Sequence, residues 1–593
     1  MKIYDSFHIV MHVMLVMLLV SSALMPDVPV IVPLSEYENN ILDSGGKLVE
    51  EQAALDVYYY ELDLTIDPYD STINGSVLMQ SHVMRQLDTY VAHLDTVFDV
   101  HHVHYHHPDD ESPLRALDFT HENGLVIAQL PHKLEPGEKL KITVFYSGSP
   151  RMAPNPPWEG GFTWDRTDNG EPWFGVSCQV NGADIWWPVK DHPSDRPDSV
   201  SLSITVPESL TAVSNGVLRS VDQRMPGTKT FHWVTRHPIS NYAVTVNAGP
   251  YVELERKYES ITGQVFPIYF WALPRHREKA DELMDQIVHQ MRFLEQLLGP
   301  YPYRDEKYGV VEAPFFGMEH QTIIAYGAGY QNDTVFDTNS GFDDLHHHEL
   351  SHEWWGNLVT ASDWKDFWIH EGFGTYMQPL YAEHLHGKEQ YRYFMKRLYQ
   401  RILNNLPIAP DESRTTREMF DGRDIYMKGA WVLHTLRKLI GDDAFFTTLA
   451  EMTYPNTVRP SRPYGNSGAS DYRFNSNATT GSKSISEVPA RFTDTRDYIN
   501  LVRVITGQDL KWFFYTYLKH SDLPELLKKW DDDSLILSWS TPSDYDFPMP
   551  VEVCDGQNCM SVIPDGETAI NIRHRDELKI DPHNKVLRSG LYR

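Results

Sequence analysis

His348-Glu349-Leu350-Ser351-His352, followed nineteen positions later by Glu371 in Trp368-Ile369-His370-Glu371-Gly372-Phe373-Gly374, decides how this chain is read. Histidines at i and i+4 project from one helix face and hold one zinc ion through two imidazole nitrogens. The glutamate between them then stands beside the position that the metal leaves open for water. A catalytic zinc takes three protein ligands, and Glu371, at the start of the next helical pattern, supplies the third. The five-residue pattern alone arises by accident about 0.1 times in a chain of this composition, and requiring Glu at that one spacing lowers the expectation roughly fourteenfold. One Zn2+ per chain, on His348, His352 and Glu371, is therefore expected. His346 and His347 lack i, i+4 partners and read as flanking residues. His101, His102, His104, His106 and His107 form a second cluster; on a strand, His102, His104 and His106 would share a face, but no carboxylate spacing supports a metal site there.

Upstream of this stretch, regular segments alternate with period two, as in Val57-Tyr-Tyr-Tyr-Glu-Leu-Asp-Leu-Thr-Ile66, Leu140–Phe145 and Leu202–Val206. Leu283, Ile287, Met291, Leu294 and Leu298 then recur at helical spacing, with Gly299-Pro300 as the stop signal. Further helical patterns cover 344–357, 372–386, 388–405, 428–440 and 493–520. Strand signals return in Ser534–Trp539, Pro550–Cys554 and Ala569–Ile572. The fold expected is a multidomain α+β chain: an N-terminal β domain over 51–255, a mainly helical zinc domain over 256–525 and a small C-terminal β domain over 526–593. A Ser-, Asn-, Gly- and Pro-rich run at 455–489 reads as a flexible insertion. Residues 24–50 read as a linker.

At 593 residues the chain is too long for one core, which fits several domains. Its formal charge of −30 argues against nucleic-acid binding, because phosphate contact needs a basic face. Ile9–Val20 is an apolar run followed by Ser21-Ser22-Ala23, the pattern of a signal peptide over 1–23 and of an exported, periplasmic or extracellular protein. Membrane contact is expected only if that segment stays uncleaved. Cys178 stands alone, and Cys554 and Cys559 flank an Asp555-Gly556 turn signal, where a disulfide is an open alternative.

Beyond the zinc motif, the chain carries Trp187-Pro188-Val189-Lys190-Asp191-His192-Pro193, Tyr301-Pro302-Tyr303, Met318-Glu319-His320, Glu371-Gly372-Phe373 and Tyr426-Met427-Lys428-Gly429-Ala430. These elements, in this order, resemble the aminopeptidase N family of zinc metallopeptidases, the gluzincins that also include leukotriene hydrolases. The chain looks like a short form without the helical C-terminal domain. The resemblance implies a β-sheet N-terminal domain, a thermolysin-like catalytic domain and a β-sandwich. It implies Glu319 and Gln179 as the contacts for a substrate's free α-amine, Glu349 as general base and Tyr426 as the donor to the oxyanion. The implied substrates are peptides with a free N-terminus, with no stable protein partner. Three positions depart from the family motif: Phe316 replaces a usual glycine, and His320 and His370 replace usual asparagines. An epoxide hydrolase side activity, a zinc endopeptidase and an inactive peptide-binding homologue are the alternatives to an aminopeptidase.

Overall fold

A computed structural model describes residues 29–107, 114–455 and 490–592, so the signal-like segment 1–23 and nearly all of the insertion at 455–489 lie outside the described residues. The N-terminal β domain is built on an eight-stranded mixed sheet. Its centre is Leu55–Asp67, paired antiparallel with Thr72–Val83 and parallel with Ser199–Pro207. Leu55 and Val57 point into the core, and so do Tyr60, Leu62, Leu64 and Ile66. The change of phase between the two groups is a bulge at Val57/Tyr59, where one extra residue keeps the apolar side inward. A four-stranded antiparallel sheet of Gly161–Arg166, Pro172–Ser177, Thr211–Ser214 and Val246–Gly249 interleaves with it in sequence, and its strand Pro172–Ser177 ends just before Gln179.

The strand Val252–Glu259, which spans the boundary expected at 255, pairs with Val265–Ala272 along its whole length. It thus opens the five-stranded sheet that the helical domain carries, continued by Tyr308–Glu312, Ile324–Tyr326 and the edge strand Gly317–Met318. Against this sheet pack the helices Arg277–Leu298 and Asp344–Ser351, and behind them Trp368–His386, Lys388–Tyr399, Asp424–Ile440 and Asp442–Thr453 pack on one another. The expected helix over 493–520 is two helices, Thr495–Thr506 and Lys511–Leu518. Gly507 in the left-handed region (φ 69°) closes the first, an end that apolar periodicity does not reveal. The zinc-motif helix stops at Ser351 rather than near 357, and its successor begins at Trp368, four residues early.

Two three-stranded sheets follow, one with Glu525–Asp531, Ser534–Ser540 and Asp565–Asn571, the other with Val551–Asp555, Asn558–Val562 and Leu578–Ile580. They close on a small core of Leu526, Leu535, Leu537, Val551, Val553, Ile570 and Ile572. Cys554 and Cys559 face each other across the hairpin and are joined by a disulfide, with Gly556-Gln557 rather than Asp555-Gly556 at the turn. Residues 29–50 are packed rather than a free connector: Ile31–Val32 pairs with Leu48–Val49, and Ser44 N donates to Thr416 Oγ1 at 3.2 Å. No helix among the described residues is long and apolar enough to cross a membrane.

Candidate metal centre and active site

The zinc-motif helix is fixed from its N-terminus. Asp343 caps it by accepting from His346 N at 2.8 Å, and His346 is clamped by Gln290 Oε1 at 2.6 Å and Tyr308 OH at 2.8 Å. His347 is buried on the opposite side and stacks on Tyr381 at 4.6 Å. Both neighbours of the motif therefore support the helix instead of binding a metal. His352 occupies the C-terminal cap of the helix but keeps helical dihedrals, so its i, i+4 relation to His348 survives.

His348 Nε2 and His352 Nε2 lie 3.1 Å apart, and Glu371 Oε2 lies 3.4 and 3.5 Å from them. Three donors about 2.0–2.2 Å from one tetrahedral zinc are separated by about 3.3 Å, so the group fits that ion without rearrangement. Two further observations support the fit. His352 Nδ1 contacts the carbonyl of Trp355 at 2.8 Å, and since a carbonyl only accepts, Nδ1 carries the proton and Nε2 keeps its lone pair. Glu371 Oε2 is buried and makes no hydrogen bond beyond these imidazoles among the described residues. The surroundings are acidic enough to call for a cation: burial opposes the His352 charge, yet the Glu371 and Glu319 carboxylates push its pKa up to about 10. Among the described residues no other cluster of three ligand-type side chains converges this way. In the second histidine cluster, His102 and His104 stack ring on ring at 5.6 Å, while His101 turns to Ser147 at 2.7 Å.

Close helix packing sets the rest of the site. A Cβ on Gly374 would lie 3.4 Å from His352 Nε2, so the helix bearing Glu371 passes directly under the ligand. The same helix crosses Asp424–Ile440 at Gly372 and Gly429, where a Cβ on Gly429 would meet Gly372 Cα at 2.9 Å. Tyr426, one turn before that crossing, is thereby brought to the metal site, its ring 6.1 Å from that of His348. Burial and three nearby carboxylates hold its pKa well above the ordinary value, so the phenol stays a donor.

Glu319 is buried at 3% exposure beside the metal ligands. Its Oε1 accepts from Gln179 Nε2 in a short contact and from Tyr242 OH at 3.2 Å; Gln179 Nε2 also reaches Glu371 Oε1 at 3.3 Å. Burial raises the Glu319 pKa to about 7, against the opposing pull of His352. Glu349, 6% exposed, is likewise raised by burial and then by Glu319 and Glu371. Gln179, Glu319, Glu349, Tyr426 and the three metal ligands surround a cleft of about 120 Å³ with Phe316, Leu345 and Phe420 among its apolar walls. Of the three departures from the family motif, His320 and His370 do not line the cleft. His320 is fully buried, and His370 Nε2 accepts from Ala361 N at 2.9 Å; burial pushes both pKa values down to about 3. Only Phe316 faces the cleft.

Sequence reasoning missed Tyr242 and the glycine crossing. Tyr242 belongs to no spaced pattern, and glycine within a helix pattern reads as a weakness until its neighbour is known. Asp343, by contrast, sits where an N-cap is expected and was open to detection.

Fold and donor set together define a zinc site on paired helices of a thermolysin-like domain, flanked by a β domain that contributes to the same cleft. The sequence matches the model of the Peptidase family M1 domain over residues 283–457 and that of the Peptidase M1 N-terminal domain over 57–243, together more than half of the chain. It belongs to the M1 family of peptidases, the aminopeptidase N family. It is similar to human endoplasmic reticulum aminopeptidase 1, 25% identical over 372 residues, covering 58% of this chain and 38% of that protein. Leucine aminopeptidase 2 of Coccidioides immitis (strain RS) is 23% identical over 303 residues, 47% of this chain and 46% of that one. The chain thus spans less than half the length of these relatives. An M1 zinc metallopeptidase of Deinococcus radiodurans, solved as a variant with a Tyr-Ser-Ala substrate bound, shares the fold with a TM-score of 0.63 at 23% identity, over 82% of this chain and 99% of that one.

Proposed function

We propose that the chain is a zinc aminopeptidase that hydrolyses the first peptide bond of peptides with a free α-amine. The observation that carries this reading is the joining of an amine-binding pair from two domains, Gln179 and Glu319, to the metal ligands through Glu371 Oε1. A carboxylate suits an α-ammonium group, and Gln179 can add a carbonyl acceptor without further charge once its amide turns. Tyr242 holds the Glu319 carboxylate in place. What a zinc ion supplies at such a site is Lewis-acid polarisation of the carbonyl and a lowered pKa for water. Glu349 accepts the proton of the attacking water on its carboxylate and delivers it to the departing amine. Tyr426 donates its hydroxyl proton's hydrogen bond to the oxygen that becomes negative as the carbonyl turns tetrahedral.

The test is a matched pair of peptides, free and N-acetylated, digested and followed by mass spectrometry. Single-residue shortening of the free peptide alone is expected. Internal fragments appearing first, or indifference to acetylation, would make the chain an endopeptidase and remove the role given to Glu319. Export from the cytoplasm is a further reading, supported by the Ile9–Val20 run and in keeping with the Cys554–Cys559 pair. N-terminal sequencing of the mature protein tests it: a start at Met1 in protein from the cytoplasmic fraction would overturn it.

A further inference from the structure

Glu319, Gly317 and Phe316 stand in order on one edge of the catalytic sheet, and each meets a different part of the cleft. Glu319 is the residue assigned to the α-amine. Gly317, two residues back along the edge strand, lies over the general base: a Cβ there would sit 3.0 Å from Glu349 Oε1 and 2.9 Å from Leu345 Cδ1. Phe316 comes next, at the bend where the strand begins. Strand residues advance about 3.3 Å each. A peptide held at its amine by Glu319, with its first carbonyl at Glu349, therefore directs its leaving side toward Phe316.

That end of the cleft is apolar. Phe316 stacks on Trp158 with ring centroids 5.9 Å apart and planes 29° from parallel. Trp158 comes from the N-terminal β domain and is 42% exposed, so one large aromatic face is open at the mouth of the cleft. Val335, Phe336 and Leu345 add apolar lining to the same cleft, and Leu345 lies against Gly317, one helical turn before His348. The charged side chains of the cleft, Glu319, His348, Glu349, His352 and Glu371, all belong to the amine and metal end. A charged second side chain would lose its hydration here without gaining a partner, whereas an apolar one would bury surface against five apolar residues. Aromatic rings gain further from offset or tilted contact with the Trp158–Phe316 pair. The family motif usually has glycine at Phe316, which would leave this wall unbuilt.

We propose that Phe316 and Trp158 form the subsite for the second residue of the substrate and select peptides with a large apolar or aromatic side chain at that position. This rests on the aminopeptidase reading above. The test measures kcat/KM for release of leucine from Leu-Xaa-Ala peptides, with Xaa as Phe, Leu, Gly, Asp or Lys. The zinc-loaded wild type is compared with Phe316→Gly and Trp158→Ala. Wild type is expected to favour Phe over Gly by about tenfold or more, the scale on which apolar pockets discriminate. Phe316→Gly should bring that ratio to within about twofold, and Trp158→Ala should lower it, with the larger loss falling on Leu-Phe-Ala. Trp158 is exposed, so its variant keeps the test valid if Phe316→Gly fails to fold. A flat wild-type profile overturns the proposal, as does a ratio that survives in the folded variants. So does a change confined to a parallel Xaa-Gly-Ala series, which would place the aromatic pair at the first residue. If acetyl-Leu-Phe-Ala is cut as fast as the free peptide, the aminopeptidase reading fails and this assignment fails with it.

Discussion

Gly429→Ala isolates what the helix crossing contributes. Alanine is the better helix former by about 1 kcal/mol, so on propensity alone the substitution inside Asp424–Ile440 should stabilise the protein. The crossing opposes it. The new methyl would stand 2.9 Å from Gly372 Cα, where carbon atoms ordinarily sit about 3.5–4.0 Å apart, so the helices must separate by roughly 0.6 Å or more. Overpacking of this kind costs about 1–3 kcal/mol, which exceeds the propensity gain in most of that range. The displacement also falls on catalytic geometry, because Glu371 and Tyr426 lie on the two helices that are pushed apart. A misplacement near 1 Å can cost on the order of 10²-fold in rate. The expected outcome is a ten- to hundredfold lower kcat, on the order set by that displacement, with zinc still bound by elemental analysis and a lower urea midpoint. An unchanged kcat together with a raised midpoint would mean that the crossing has slack and that Tyr426 is positioned by something else.

Three other outcomes follow from the site and its surroundings. Chelation should abolish peptidase activity and zinc should restore it, whereas Glu349→Gln should retain zinc yet lose on the order of 10²-fold in kcat; equal turnover in that variant would remove Glu349 as the base. Asp366, 3% exposed and accepting from Thr495 N at 3.1 Å, has its pKa pushed up to about 7, chiefly by burial. A folded-state pKa above the unfolded one means the native state holds the extra proton, so stability is lost as pH rises from about 4 to 7 and stays lost above. Asp366→Asn should therefore be neutral near pH 4 and stabilise by up to about 4 kcal/mol near pH 8 in urea denaturation. A gain of equal size at both pH values would show that packing, not the charge, is responsible.

The metal centre was legible because its chemistry is local: two ligands share one helix face, and the third lies one loop away. The general division into β, helical and β parts was legible for the same reason, since period two and period 3.6 are visible within a few residues. Helix ends were less so. Gly507 ends a helix in the middle of an apolar pattern, and Trp368 starts one before its periodicity is evident. Long-range pairings left no trace in the sequence. Nothing near Tyr242 announces Glu319, 77 positions away, and nothing near Phe316 announces Trp158 on another domain. The amine-binding role proposed for Glu319 and Gln179 came from resemblance to a family, because a glutamate and a glutamine 140 positions apart form no pattern that spacing can reveal.

The strap at 29–50 has a consequence for how the chain is made. Asp43 and Ser44 are translated early, yet their partners Thr416 and Arg417 emerge some 370 residues later. Thr416 Oγ1 also donates to Val180 O at 2.6 Å, directly beside Gln179. The strap, the loop bearing Gln179 and the short helix Thr416–Phe420 that precedes Tyr426 are therefore completed together, and only after the chain has been made through that helix. At 5–20 residues per second this leaves on the order of tens of seconds in which the β domain stands without its closing contacts. A nascent chain that stops short of Tyr426 thus carries no assembled cleft, because the loop bearing Gln179 still lacks the helix that holds it.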